Sequence, residues 1–84
     1  MRINPQLIQT FITFVESKNI SETAGKLFIS QPTVTVHLQL LEAQLQQKLF
    51  TTQGRRKVLN HFGKIFYQSV GAVWRDLNRS IETA

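Results

Sequence analysis

Apolar residues recur along this chain in distinct rhythms, and each rhythm predicts an element. After Asn4-Pro5, the residues Leu7, Ile8, Phe11, Ile12, Phe14 and Val15 repeat at three- and four-residue spacing, which marks one face of a helix. Proline suits a first helical position because it has no amide proton to leave unbonded. The helix is therefore expected to begin at Pro5, with Asn4 as its cap, and to close at Lys18 and Asn19. Ser21 is expected to cap a second, short helix that carries Ala24 and Leu27 inward. Phe28, Ile29 and Ser30 make the next turn, and Ser30 caps a third helix that accepts Pro32 in its first turn. Val34, Leu38, Leu41 and Leu45 then form a narrow buried stripe. Thr33, Thr35, Val36, His37, Gln39 and Leu40 are left off it.

From Lys48 the helical rhythm stops. Leu49 to Gln53 and Lys57 to Leu59, separated by Gly54-Arg55-Arg56, read as two short strands joined by a glycine-containing turn. Such a hairpin is weak alone and is expected to lean on the helices through Leu49, Phe50, Val58 and Leu59. Asn60 then caps a last helix, where Phe62, Phe66, Val70, Val73, Leu77 and Ile81 repeat at helical spacing and Ile65 and Trp74 widen the face. A helix from His61 to Thr83 is roughly 35 Å long at 1.5 Å per residue. A domain this small cannot cover that length, so the far half of the stripe is expected to bury itself against a second copy of the chain.

The fold class expected is mainly α. Residues 1–59 form the helical domain with its hairpin and residues 60–84 the dimerisation helix; the helix-turn-helix occupies about 19–38 and the hairpin about 49–59. A short helix, a tight turn and a helix that opens on exposed polar side chains make the arrangement that pushes a helix end into the DNA major groove.

Composition narrows the alternatives. With no cysteine, the chain has no disulfide framework, thiolate metal site or cysteine nucleophile. Two distant histidines and five scattered acids offer neither a catalytic constellation nor a metal site, so no enzyme activity, cofactor or metal is expected. The net charge of +5, from ten Lys and Arg against five Asp and Glu, favours a polyanionic partner. No apolar run reaches the ~20 residues of a membrane span, and Met-Arg-Ile-Asn-Pro-Gln does not read as a secretory signal. A cytoplasmic protein without a membrane partner is expected.

The run Ala24-x-x-Leu27-x-Ile29-Ser30-Gln31-Pro32-Thr33-Val34-Thr35, followed by Leu41-Glu42, Leu49-Phe50, Gly54-Arg55 and Leu59-x-x-x-Gly63, resembles the N-terminal domain of the LysR-type transcriptional regulators. The resemblance covers nearly the whole chain. It implies a winged helix-turn-helix of three helices plus a two-stranded β wing, a long linker helix that pairs two chains, and sequence-specific binding to double-stranded promoter DNA. It also implies that any small-molecule effector acts through a domain outside this chain. Several departures stand out: the family usually carries Arg or Lys where Val36 stands and often at Gln39 or Leu40, a basic residue is frequent at Thr52, and no basic residue lies between Lys26 and Lys48. Gln46 replaces a frequent glycine, and Asn60 a threonine cap.

Base edges in the major groove are read by hydrogen-bonding side chains or by apolar groups that meet the thymine methyl. Gln31, Thr33, Thr35 and Gln39 can do the first; Pro32, Val36 and the threonine methyls can do the second, which predicts an A·T-leaning half-site. The plainer reading makes the threonines solvated surface, Val36 a stray exposed residue, and Pro32 a shaper of the helix start. His37 adjoins this face and is a weaker candidate for a base or phosphate contact; the plainer reading points it back to the turn. Arg55, Arg56 and Lys57 at the hairpin tip are candidates for phosphate or minor-groove contact, Arg55 first because it matches the family's wing arginine. Phe66, Val70, Val73, Trp74, Leu77 and Ile81 are the candidate dimer contacts. The rival reading is a winged-helix protein-interaction module that has lost DNA binding, which the uncharged third helix keeps in play.

Overall fold

The computed structural model describes residues 3–83, so the outermost ends of the two expected segments, residues 1–2 and 84, lie outside the described residues. The element order is α1 (Pro5–Val15), α2 (Ile20–Leu27), α3 (Gln31–Leu45), β1 (Phe50–Gln53), β2 (Arg56–Leu59) and α4 (His61–Thr83). This mainly helical chain with one two-stranded sheet has the winged-helix architecture. It forms two compact units, Met1–Lys48 and Leu49–Ala84.

The first unit is a three-helix cluster. Its core holds Leu7, Phe11 and Ile12 from α1, Ala24 from α2, and Val34, Leu38 and Leu41 from α3. The helix starts are written in cap chemistry. Asn4 accepts from the Gln6 amide at 2.9 Å, and Ser30 Oγ accepts from the Thr33 amide at 3.2 Å. The second start differs from expectation. Asn19, not Ser21, caps α2, its side chain accepting from the Glu22 amide at 2.8 Å. Consequently α1 stops at Val15 rather than at Lys18 and Asn19. Both residues are good caps; with Asn19 as the cap, Ile20 is the first residue of the helix.

Two helix ends in this unit close in the same way. The Ile29 amide bonds the Ala24 carbonyl at 3.1 Å, with Phe28 left-handed at φ 57°. The Gln47 amide bonds the Glu42 carbonyl at 3.1 Å, with Gln46 left-handed at φ 55°. This is the Schellman closure, which usually places glycine at the left-handed position because a Cβ is strained there. Two buried threonines also belong to the core. Thr10 and Thr23 are at most 1% exposed, and their hydroxyls donate to the Gln6 and Asn19 carbonyls one turn earlier. Gly25 is exposed with open space where a Cβ would stand; nothing in the structure explains it.

In the second unit the strands pair antiparallel with Phe50 opposite Leu59 and Gln53 opposite Arg56, leaving Gly54 and Arg55 as a two-residue loop. Gly54 takes φ 64°, the positive angle that the first central position of a type II′ hairpin turn demands. The hairpin packs on α4. The Asn60 amide bonds the Leu49 carbonyl at 2.9 Å, Asn60 Oδ1 accepts from the Gly63 amide at 2.7 Å, and Leu49 is fully buried. A Cβ at Gly63 would collide with the Leu49 carbonyl oxygen, so this position has no room for a side chain.

Candidate nucleic-acid interface

The candidate side chains fall on three surfaces. On α3, Gln31, Pro32, Val36 and Gln39 are exposed, while Thr33 and Thr35 are half-buried. The Ser30 cap fixes where the helix starts, and the buried stripe of Val34, Leu38 and Leu41 fixes its rotation. Gln31 and Gln39 therefore present their amides to the outside. The threonines are partly engaged. Thr33 Oγ1 lies 2.7 Å from Ser30 Oγ as part of the cap, and Thr35 Oγ1 leans back to the Gln31 carbonyl at 3.5 Å. Each hydroxyl oxygen keeps acceptor capacity beside these bonds.

His37 turns inward to α1: its Nδ1 lies 2.8 Å from Thr10 Oγ1. The Thr10 hydroxyl also reaches the Gln6 carbonyl at 3.1 Å; which partner donates in the bond between Thr10 and His37 depends on the imidazole tautomer. That ring edge ties α3 to α1 rather than pointing back to the turn. Sequence periodicity could not show this, because the partner is a threonine buried in another helix.

The second surface is the hairpin tip. Arg55, Arg56 and Lys57 are all exposed, but consecutive strand residues point to opposite faces. With Lys57 opposite Thr52 and Leu59 opposite Phe50, Lys57 shares a face with Phe50; its Nζ sits 5.4 Å from the centre of that ring, within cation–π range. Arg56 belongs to the other face, and Arg55 stands in the loop. The three adjacent cations therefore do not form one patch.

The third surface is α4. Phe66, Val70 and Trp74 are half-buried, Phe66 stacked on Phe62 with centroids 6.1 Å apart. Val73, Leu77 and Ile81 are 68%, 52% and 66% exposed, and Ile65 is 50% exposed. Among the described residues nothing covers them, and no charged residue interrupts the stripe they define.

Comparison with known proteins places these surfaces in context. A family model described as "Bacterial regulatory helix-turn-helix protein, lysR family" matches residues 5–64. Among curated relatives, the HTH-type transcriptional regulator CitR of Bacillus subtilis is 42% identical over 59 residues, which is 70% of this chain and 20% of CitR. XapR of Escherichia coli is 34% identical over 67 residues, 80% of this chain and 23% of XapR. The chain thus spans about one fifth of the length of the curated relatives it matches. Among solved structures, the CbnR DNA-binding domain in complex with DNA superposes with a TM-score of 0.81 at 28% identity, covering 95% of this chain and 92% of that one. By the extent of the family match and the identity to its regulators, this chain belongs to the LysR family of bacterial helix-turn-helix regulatory proteins.

Proposed function

We propose that this chain is the DNA-binding part of a transcriptional regulator, with α3 entering the major groove and the hairpin touching the sugar-phosphate backbone or the minor groove. Gln31, Pro32, Thr33, Thr35, Val36 and Gln39 meet base edges, and Arg55, Arg56 and Lys57 meet phosphates. The observation that carries this reading is the likeness, over nearly the whole of both chains, to a LysR-family domain solved on DNA. The net charge of +5 and the exposed amides of Gln31 and Gln39 support it independently.

In this reading two copies act together. The apolar stripe of Phe66, Val70, Val73, Trp74, Leu77 and Ile81 on α4 pairs with its twin, and the pair spaces two recognition helices for half-sites about 34 Å apart or a multiple of that. Residues 1–59 serve as the DNA-reading domain and 60–84 as the linker. The work is binding rather than catalysis, and any small-molecule effector acts through another domain. No described helix is long and apolar enough to cross a membrane; the proposed place of action is the nucleoid.

Titration against mixed-sequence duplex DNA at low salt tests the reading directly. Salt-sensitive binding is expected, followed by recovery of a two-fold-related motif from a random-sequence selection. Absence of any duplex binding under these conditions would overturn it. Sedimentation that returns a monomer at high concentration would overturn the pairing.

A further inference from the structure

The outward face of α3 is mostly apolar. At ~100° of rotation per residue, Pro32, Val36, Leu40 and Ala43 fall within roughly 60° of the direction opposite the buried Val34, Leu38 and Leu41 stripe. All four are exposed, Val36 and Leu40 at 48% each. The ridge spans 11 residue steps, roughly 16 Å at 1.5 Å per residue, longer than the ~12 Å width of a major groove. Gln39 is the one polar side chain within the same arc of the helix, and Glu42 is the one charged residue between Lys26 and Lys48. A helix that is apolar on both faces has no reason to remain solvated on the outer one.

We propose that this ridge reads the C5-methyl groups of pyrimidines, with Val36 and Leu40 as the specificity-determining pair. The inference rests on the DNA-binding reading above and adds the chemical feature recognised. The only apolar group that base pairs expose in the major groove is that methyl, and it is the natural partner of aliphatic side chains there. Charge favours the same occupant. The chain is cationic overall, and the ridge carries neither an acid to repel phosphates nor a cation to seek guanine O6 and N7. Val36 and Leu40 stand four residues apart along the helix, about 6 Å by helical rise, close to two base steps of about 3.4 Å, which lets them meet methyls two base pairs apart. Thymine supplies the methyl in ordinary DNA, and 5-methylcytosine supplies the same group on a different base.

The test changes the DNA before it changes the protein. Duplexes recovered by selection on the 84-residue chain are remade with deoxyuridine for thymine at each position in turn, and separately with cytosine or 5-methylcytosine at the same positions. Removing a thymine methyl that the ridge touches is expected to weaken binding about fourfold, the equivalent of one buried methylene-sized group. In Val36→Ala and Leu40→Ala variants the deoxyuridine penalty should vanish at one step each, while circular dichroism stays unchanged because both side chains are half in solvent. With cytosine and then 5-methylcytosine placed at those thymine positions, tighter binding of the methylated base shows that the methyl itself is read; equal loss with both overturns methyl reading at that step. Tight binding indifferent to every deoxyuridine overturns the proposal and leaves the DNA-binding reading intact. If the alanine variants then lose self-association in sedimentation, the ridge covers protein. No duplex binding at all would bring down both.

Discussion

The outward face of α3 and the tip of the hairpin are chemical opposites. Between Lys26 and Lys48 the helix-turn-helix carries no cation, and its exposed line is Pro32, Val36, Leu40 and Ala43. The hairpin places Arg55, Arg56 and Lys57 in succession, all exposed. An uncharged surface can discriminate between base edges but attracts a polyanion weakly; a cationic one attracts any sequence alike. The contrast therefore assigns selectivity and attraction to different elements, where a helix bearing arginines would merge the two. Variants that remove one while sparing the other should reveal how complete the separation is.

The largest effect is expected from removing the hairpin charges. Replacing Arg55, Arg56 and Lys57 together by alanine should flatten the slope of log affinity against log salt by up to ~2.7, at about 0.9 for each phosphate left without its cation. Low-salt affinity should fall accordingly, without a change in the preferred motif. Because Arg56 and Lys57 face opposite sides, the single variants should differ in size; equal losses would mean the hairpin tip reorganises on DNA. Gln31→Ala should do the converse. It should cost about 1–3 kcal/mol on the selected site, measured by equilibrium titration, and leave the salt slope unchanged. A shift in slope matching that of the arginine variants would erase the contrast.

Stability controls sharpen the same comparison by separating weakened recognition from unfolding. Gly63→Ala drives a methyl into the Leu49 carbonyl and should destabilise the hairpin and α4 by about 1–3 kcal/mol in urea unfolding. Its DNA affinity should then recover under conditions that keep it folded, which the triple alanine variant cannot do. The smallest effect belongs to Gln46→Gly. Relief of a left-handed residue at an exposed helix end should raise stability by about 0.5–1 kcal/mol, with no effect on either arm of the DNA measurements.

Much of the scaffold is legible in the sequence because caps and periodicity agree in it. Asn4-Pro5 set the start of α1, Ser30 that of α3 and Asn60 that of α4, and each is followed by an apolar repeat. The start of α2 is not legible, since Asn19 and Ser21 are both competent caps and the choice depends on packing of the first turn. Left-handed Phe28 carries no sequence signal, for glycine is the residue that announces such a position, and Gln46 is marked only by the glycine the family often places there. Thr10 and Thr23 look like surface residues because their hydroxyls are satisfied within their own helices, a solution that composition cannot reveal. The candidate interface is legible as chemistry and not as geometry. Which cations share a face follows only from strand register, and the direction of His37 only from the position of Thr10.

That register has a consequence for how the hairpin could vary. Two loop residues, Gly54 and Arg55, hold the strands in a pairing where parity decides each side chain's face. Lengthening one strand by a single residue would swap the sides of Arg56 and Lys57 and detach the lysine from Phe50, with the amino-acid inventory otherwise unaltered. The spacing of this hairpin thus acts as a dial for the direction of positive charge, one that insertions and deletions turn and substitutions do not.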